Sequence, residues 1–409
     1  MSDHNTKPIP NAISIPWSYK LEGWGVRVNV ERWTFKFPPI RVAMIGFAAI
    51  ALLAMGYRLI MGLHAVTNLS DEWPWGLWKA IAVFSAIALA GGGFSTAFLV
   101  HVLKIQALKP IARMTLCASM LGYFLGLGGL FLEIGRWFNF WPPFYSWGHE
   151  SPMFETFICI ASYTIIQSLE FCEIVTEKIF RPLHWMFVKI FPALVVIGVM
   201  LPTMHQSTLG TLYLLAEGKL SPLWWSPIIF VLFLISSVYV GPASVAVISV
   251  FNDKSLGHRL PLAPMKLVAK IGGALMIVYL VLRVGDLMAR NQLGAALSGN
   301  CESCLFLVEF VVGLIVPLVI VFSPMGNTRG GLITYGVLAC FGVFLNRSNT
   351  VLIGMWENAG GVAYFPSVLE FIIVFGLLTF GLLGYIFLCE NFDLLGDKEE
   401  ALAEDKSPV

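Results

Sequence analysis

Ten apolar runs of 17 to 30 residues govern what this chain can fold into. They lie at roughly 40–63, 75–103, 112–139, 152–178, 187–204, 222–251, 264–290, 303–323, 330–346 and 366–389. An α-helix needs about 20 apolar residues to cross some 30 Å of hydrocarbon. In that medium the backbone must satisfy its own hydrogen bonds, which leaves only helices or closed barrels. Runs this long are helical, so the expected fold is an all-α integral membrane protein with about ten transmembrane helices. Pro74, Pro110, Pro152, Pro182, Pro222, Pro264, Pro324 and Pro366 fall at or near the run ends, where proline starts or stops helices. Only 12% of the residues are charged, against about 25% in soluble domains. A net charge of +1 implies no nucleic-acid partner.

Lysine and arginine set the expected orientation. About 19 of the 26 collect on one side, in the N-terminal arm, the even-numbered loops and the tail. Both termini are therefore expected in the cytoplasm, with Trp-rich loops (Trp73, Trp75, Trp78; Trp137, Trp141, Trp147; Trp224, Trp225) at the outer interface. Residues 1–39 contain no apolar signal-like core and are expected to form a retained polar arm. Residues 40–389 form the membrane domain and 390–409 a cytoplasmic tail. Spans two to five (about 75–204) and six to nine (about 222–346) both start from the outer side. This predicts two four-helix bundles with two peripheral helices.

Charges within apolar runs are costly, roughly 2.5–3.5 kcal/mol each on insertion scales, so each is a functional candidate. The first group gathers near the outer end of the first bundle: Asp71, Glu72, Trp73 and Trp75, then Glu133 and Arg136, and His205. Glu133 and Arg136 are three apart, which puts them on one face if the helix continues. An ion pair locking helices is the structural reading. A polar pocket under an aromatic rim, of the kind a quinone requires, is the functional one. The second group is a stripe along the fourth span: Tyr163, Gln167, Glu170, Glu173 and Glu177. It covers about 21 Å at 1.5 Å per residue and reads as a proton path, or as interfacial carboxylates paired with Lys178 or Arg181. The third group is a second-bundle polar cluster, Arg283, Asp286, Glu309, Arg347 and Asn349, for which structural pairing is the leading reading.

Metal sites find little support. Of seven histidines, only His101 lies well inside an apolar run, with His184 at a similar depth, so no bis-histidine haem b is expected. Five cysteines sit in apolar runs as small hydrophobes. Cys301 and Cys304 form a lone CxxC, expected as a local disulfide or two free thiols rather than an iron–sulfur or zinc site. The chain is expected to bind no haem, no iron–sulfur cluster and no metal.

Several segments together resemble the NrfD/PsrC/HybB family of integral membrane quinone-interacting subunits. They are Asn68-Leu69 through Pro74-Trp75-Gly76-Leu77-Trp78, the run Gly91-Gly92-Gly93, and Glu133-Ile134-Gly135-Arg136-Trp137. Later come Asn346-Arg347-Ser348-Asn349 with Leu352-Ile353-Gly354-Met355, and Tyr364-Phe365-Pro366-Ser367-Val368-Leu369-Glu370. The likeness covers nearly everything after residue 40. Ten spans look like the HybB branch more than the eight-span PsrC branch, and the motifs are similar to those of the membrane subunit of cytochrome c3:menaquinone reductase complexes. The resemblance implies a quinone site at the outer end of the first bundle, with Asp71, Trp75, Glu133, Arg136 and His205 as the matching residues. Menaquinone is then the substrate. An external iron–sulfur subunit, a molybdopterin-family subunit and a multihaem cytochrome c are the implied partners, in anaerobic and sulfate respiration. The bacterial inner membrane is the implied location.

The leading expectation is thus the quinone-reactive subunit of an oxidoreductase complex, inactive alone, that reduces menaquinone with protons from the cytoplasm. The alternatives are a quinol-linked subunit running electrons the other way and an anchor with no quinone site. A transporter is disfavoured, because its polar groups would cluster at mid-membrane.

Overall fold

The computed structural model describes residues 12–21, 26–73, 75–148, 150–179, 181–356, 358–359 and 364–395. Pro74 and His149 lie outside them, as do most of the tail and the first residues of the arm. Among the described residues, ten helices are long and apolar enough to cross a membrane. They are α1 (Pro39–Met61), α2 (Lys79–Val102), α3 (Gln106–Glu133), α4 (Pro152–Lys178), α5 (Leu183–Leu214), α6 (Ile229–Leu256), α7 (Leu262–Ala289), α8 (Cys301–Phe322), α9 (Arg329–Ile353) and α10 (Val368–Asn391). Because ten is even, α1 begins and α10 ends on one face, here the terminal face. The other is the far face.

Several boundaries differ from the sequence reading, and three of them have a local reason. Helix α3 stops at Glu133, where Ile134 turns to an extended conformation. Helix α5 runs on to Leu214, ten residues past the apolar run that ends near 204, with Pro192 and Pro202 inside it. Helix α9 continues to Ile353 through a π-helical last turn, Asn349–Ile353.

Helices α2 to α5 pack in a closed ring, α2 on α3, α3 on α4, α4 on α5 and α5 on α2. Helices α6 to α9 form a second ring, joined to the first where α5 and α2 meet α6. Helices α1 and α10 pair with each other on the outside, against α3. The glycine run on α2 makes the close approach possible. A Cβ at Gly93 would strike Ser119 of α3, and one at Gly92 would lie 2.5 Å from Ser244 Oγ of α6. Small residues serve membrane helix packing in this way.

The arm is more than a polar tether. Strands β1 (Ala12–Leu21) and β2 (Val26–Lys36) form an antiparallel hairpin, pairing Ala12 with Lys36 and Leu21 with Val26. The alternation Val26, Val28, Val30 is a strand signal of period two. The hairpin is pinned to the end of α10: Thr34 N donates to Asn391 Oδ1 (2.8 Å) and Asn391 Nδ2 to Thr34 O (3.2 Å). Trp33 stacks on Phe387 at 5.4 Å. Nearby, Arg41 makes a bidentate ion pair with Glu390 at 2.7 and 2.8 Å.

Candidate functional site

The first ring carries a polar column along its interior, supplied by α3, α4 and α5. At the terminal face Arg113 of α3 meets Glu177 (3.0 Å) and Glu173 (3.8 Å) of α4. These carboxylates pair with Arg113 rather than with Lys178, one of the two partners the sequence suggested; the side chain of the other, Arg181, lies outside the described residues. Lys178 donates instead to the main-chain oxygen of Asn391. A cavity of about 450 Å³ opens here, lined by His101, Lys109, Arg113, Glu173 and Asp393, with Glu170 at its inner end.

Glu170 itself is 1% exposed. It accepts one side-chain hydrogen bond, from Gln167 Nε2 at 2.8 Å. Opposite it lies Gly198 of α5, where a Cβ would fall 2.6 Å from Glu170 Oε1. Pro202 has no N–H to offer the Gly198 carbonyl one turn earlier, so α5 leaves a polar main-chain atom at this level. The small residue and the missing donor together give the carboxyl its space.

Above Glu170 the Tyr163 ring sits 4.2 Å from that of Tyr123 (α3) and 5.3 Å from the His205 imidazole (α5), centre to centre. The Tyr163 hydroxyl, both imidazole nitrogens, Gln167 Oε1 and Gln206 Oε1 are buried and bond to no described residue, and the Tyr123 hydroxyl is buried beside Ser119. Such groups cost about 1–3 kcal/mol each if left bare, and water commonly satisfies polar interiors of this kind. His205 thus belongs to this column. It lies nine residues before the end of α5, about 14 Å deep, and not beside Glu133 as the sequence grouping required.

At the far face the geometry also departs from the sequence reading. The end of α3 leaves Arg136 outside the helix and exposed, so Glu133 and Arg136 do not share a helical face. The partner of Glu133 is Lys79, the first residue of α2: Nζ to Oε2 is 2.9 Å, with side chains 6% and 8% exposed. Glu133 Oε1 has no described partner. The first turns of α2, Lys79–Ser85, wind as a π-helix, a form that recurs at functional sites. Trp75 packs on Tyr213 (5.4 Å) and Phe84 (6.4 Å). Asp71 is exposed in the loop before α2. Arg58 of α1 is fully buried and donates to the Leu132 and Ile134 carbonyls at 2.6 and 2.5 Å. A guanidinium there satisfies main-chain oxygens that the end of α3 leaves free.

The loop carrying Trp73 and Trp75 is held by Tyr364 and Glu370. Tyr364 donates to Glu370 Oε2 (2.5 Å) and accepts from Leu77 N (3.0 Å), while Trp73 stacks on its ring at 5.6 Å. Burial, and the hydrogen bond that ties its proton to the carboxylate, push the Tyr364 phenol above its ordinary value. Glu370 Oε1 takes the Asn68 and Ser367 amides, each at 3.0 Å.

An apolar cavity of about 420 Å³ flanks the end of α3, lined by Phe124, Leu130, Phe131, Ile134, Phe144 and Phe157. Phe124 and Phe144 are about half exposed, so it opens sideways between α3 and α4.

The second ring looks different. Glu309 accepts from Trp224 Nε1 (3.0 Å), Asn346 Nδ2 (2.8 Å) and Asn349 Nδ2 (3.0 Å). Asp286 holds Arg290 through both oxygens (3.0 and 2.6 Å) and accepts from Ser226 (2.7 Å). Arg283 stands 3.9 Å from Asp286 and donates to Leu223 O at 2.6 Å. Arg347 bonds Asn346, Ser236 and Phe233 O, and its guanidinium lies 3.5 Å over the Phe233 ring.

Sequence reasoning singled out the α4 stripe, Glu133 and the second cluster, whose side chains the structure buries or pairs, and did not single out Lys79, Arg58, Tyr123, Tyr213 and Arg113. A signal existed for Lys79, a cation at the head of an apolar run.

Three comparisons bear on this arrangement. The family model described as polysulphide reductase, NrfD, matches residues 65–356. The probable Ni/Fe-hydrogenase 2 b-type cytochrome subunit of Escherichia coli K12 is 29% identical over 361 residues, covering 85% of this chain and 90% of that protein. The menaquinone reductase integral membrane subunit of Nitratidesulfovibrio vulgaris Hildenborough is 26% identical over 327 residues, covering 72% of this chain and 76% of that protein.

Proposed function

The chain belongs to the NrfD family, and from that premise we propose that it is the quinone-reactive membrane subunit of a multi-subunit redox complex, exchanging electrons with menaquinone at the far face of the first ring. The observation that carries this is the column of polar groups that runs inward from the terminal-face cavity to Tyr163 and His205, in the ring whose far end holds the Lys79–Glu133 pair. A quinone gains two electrons and two protons on reduction, so its site needs a proton supply as well as apolar walls. Glu133 with its Lys79 partner would exchange protons at the quinone oxygen. Trp75 and Tyr213 would wall the ring, and the sideways cavity at Phe124 and Phe144 would admit the isoprenoid tail. Asp71 and Arg136, exposed on the same side, would sit at the rim toward the electron donor. Glu173, Glu170, Gln167, Tyr163 and His205 would relay protons from the terminal face, with water completing the gaps.

Orientation follows from the charges. Of the seven lysines and arginines assigned to the outer side, Arg58, Lys79, Arg283 and Arg347 are buried within spans. That leaves Arg136, Lys219 and Arg290, which sharpens the asymmetry and supports cytoplasmic termini and an inner-membrane location. Electrons then arrive from a periplasmic iron–sulfur subunit, with molybdopterin-family and multihaem cytochrome partners behind it. The identity to a hydrogenase subunit favours a second reading, in which a hydrogenase module is the partner or electrons run from quinol. Haem b, which that relative's name implies for that protein, does not fit the described histidines. Only His205 is buried within a span, and no other described imidazole shares its level.

Photo-crosslinking with an azido-menaquinone on the assembled complex tests the reading. Labelled peptides are expected from the far-face ends of α2, α3 and α5. Labelling confined to α6–α9 would contradict it. A reporter fused after Val409 should be active only in the cytoplasm, and periplasmic activity would reverse the sides.

A further inference from the structure

Cys301 and Cys304 have no role in the reading above. They occupy the first and fourth positions of α8, one turn apart at the far face, and both are exposed free thiols. The two residues between them face inward and are anchored. Glu302 is 8% exposed and accepts from Ser221 Oγ at 2.7 Å. Ser303 is fully buried, donates through Oγ to Asn300 O (3.0 Å) and through its amide to Asn300 Oδ1 (2.7 Å). This anchoring fixes the rotation of the first turn, so both thiols stand on its outward side. Helical residues three apart have Cα atoms about 5 Å from each other, inside the range of about 4.4–6.8 Å that a disulfide accepts. Among the described residues no group of three or more histidine, cysteine or acidic side chains is placed to hold a metal, so thiol chemistry is the use that remains.

We propose that Cys301 and Cys304 form a reversible dithiol–disulfide couple, exchanging with a disulfide-bearing protein that meets the far face. One cysteine, as thiolate, attacks the partner's disulfide and forms a mixed disulfide, releasing one partner thiolate. The second cysteine then attacks the Sγ of the first. An S–S bond forms between Cys301 and Cys304, and the partner leaves as a dithiol carrying two electrons and two protons. The reverse exchange with a dithiol protein restores both thiols. Closing the ring locks the first turn of α8, which holds Ser221 through Glu302. Ser221 in turn donates its amide to Gly354 O at 2.6 Å, beyond the end of α9. The redox state thus acts on the joint between α8, the loop before α6 and α9, independently of the quinone reading.

The test equilibrates the assembled complex in detergent with mixtures of reduced and oxidised dithiothreitol, quenches with acid and alkylates. Peptide mass spectrometry then reads the segment containing both cysteines. The expected result is one two-electron transition from unlabelled to doubly labelled peptide, with quinone reduction within about twofold of normal in a Cys301→Ser, Cys304→Ser variant. In Cys304→Ser alone, the remaining thiol should be labelled at every ratio. A wild-type peptide doubly labelled across the whole range, or labelled at two independent midpoints, would overturn the proposal.

Discussion

The two helical rings bury similar numbers of charged and polar groups but treat them differently. In the second, Glu309 has three side-chain donors and Asp286 is bound through both oxygens. In the first, Glu170 has one donor, Glu133 has one oxygen paired, and the Tyr163 hydroxyl and His205 imidazole bond to no described residue. A carboxylate held by three donors is fixed in one geometry, as a packing element is. One with a single donor, next to unsatisfied hydroxyls and a cavity, is the arrangement that the proposed proton route needs. The difference teaches that buried charge alone does not mark a functional site in a membrane. How completely that charge is satisfied is the better guide.

The largest effect should come from stranding a charge. Lys79→Ala leaves Glu133 buried without its partner, a loss of about 3–5 kcal/mol, and the assembled complex should largely disappear from native gels. A Lys79→Met, Glu133→Gln variant should recover assembly without recovering quinone reduction. Glu133→Gln alone removes the carboxylate but leaves an amide oxygen that still accepts from Lys79 Nζ, so assembly should fall less than in Lys79→Ala. Menaquinone reduction by the assembled complex should drop roughly 100-fold, the usual scale of acid–base catalysis. A normal rate in that variant would remove Glu133 from the site. The comparison sharpens with Glu309→Gln, which should lower thermal stability, by about 1–3 kcal/mol, while quinone reduction stays within about twofold. If Glu309→Gln instead abolishes reduction in a well-assembled complex, the assignment of the second ring to packing fails. The smallest effect is expected at Gly198→Ala, whose methyl must displace the Glu170 carboxyl. Several-fold slower turnover, with assembly unchanged, is the outcome to look for in steady-state assays.

Most of the fold was legible because hydrocarbon imposes so strict a rule on length and polarity. All ten spans were readable from apolar runs, and the errors lie where one residue type has two meanings. The apolar run near 187–204 breaks off at polar residues although α5 continues to Leu214, and Glu133 with Arg136 reads as one helix face although α3 has already ended. The Glu170 stripe was legible since its members repeat at three and four along a single helix. Its neighbours were not, because Tyr123 and His205 reach it from other helices and nothing in local spacing announces a contact across the ring. Lys79 was visible as a charge but its pairing depends on where α2 and α3 end. The arm hairpin was also written in its alternation, and was masked by its charge.

In the proposed function the first ring couples quinone chemistry to proton movement from the terminal face. The most direct measurement places the assembled complex, wild type and Glu170→Gln, Glu173→Gln, in sealed liposomes with menaquinone, and follows electron transfer and membrane potential together. The wild type should generate a potential as it turns over. The double variant should assemble, bind quinone, reduce it at least tenfold more slowly and generate no potential. A double variant that reduces menaquinone at the normal rate and charges the membrane would contradict the account and reduce the column to helix packing.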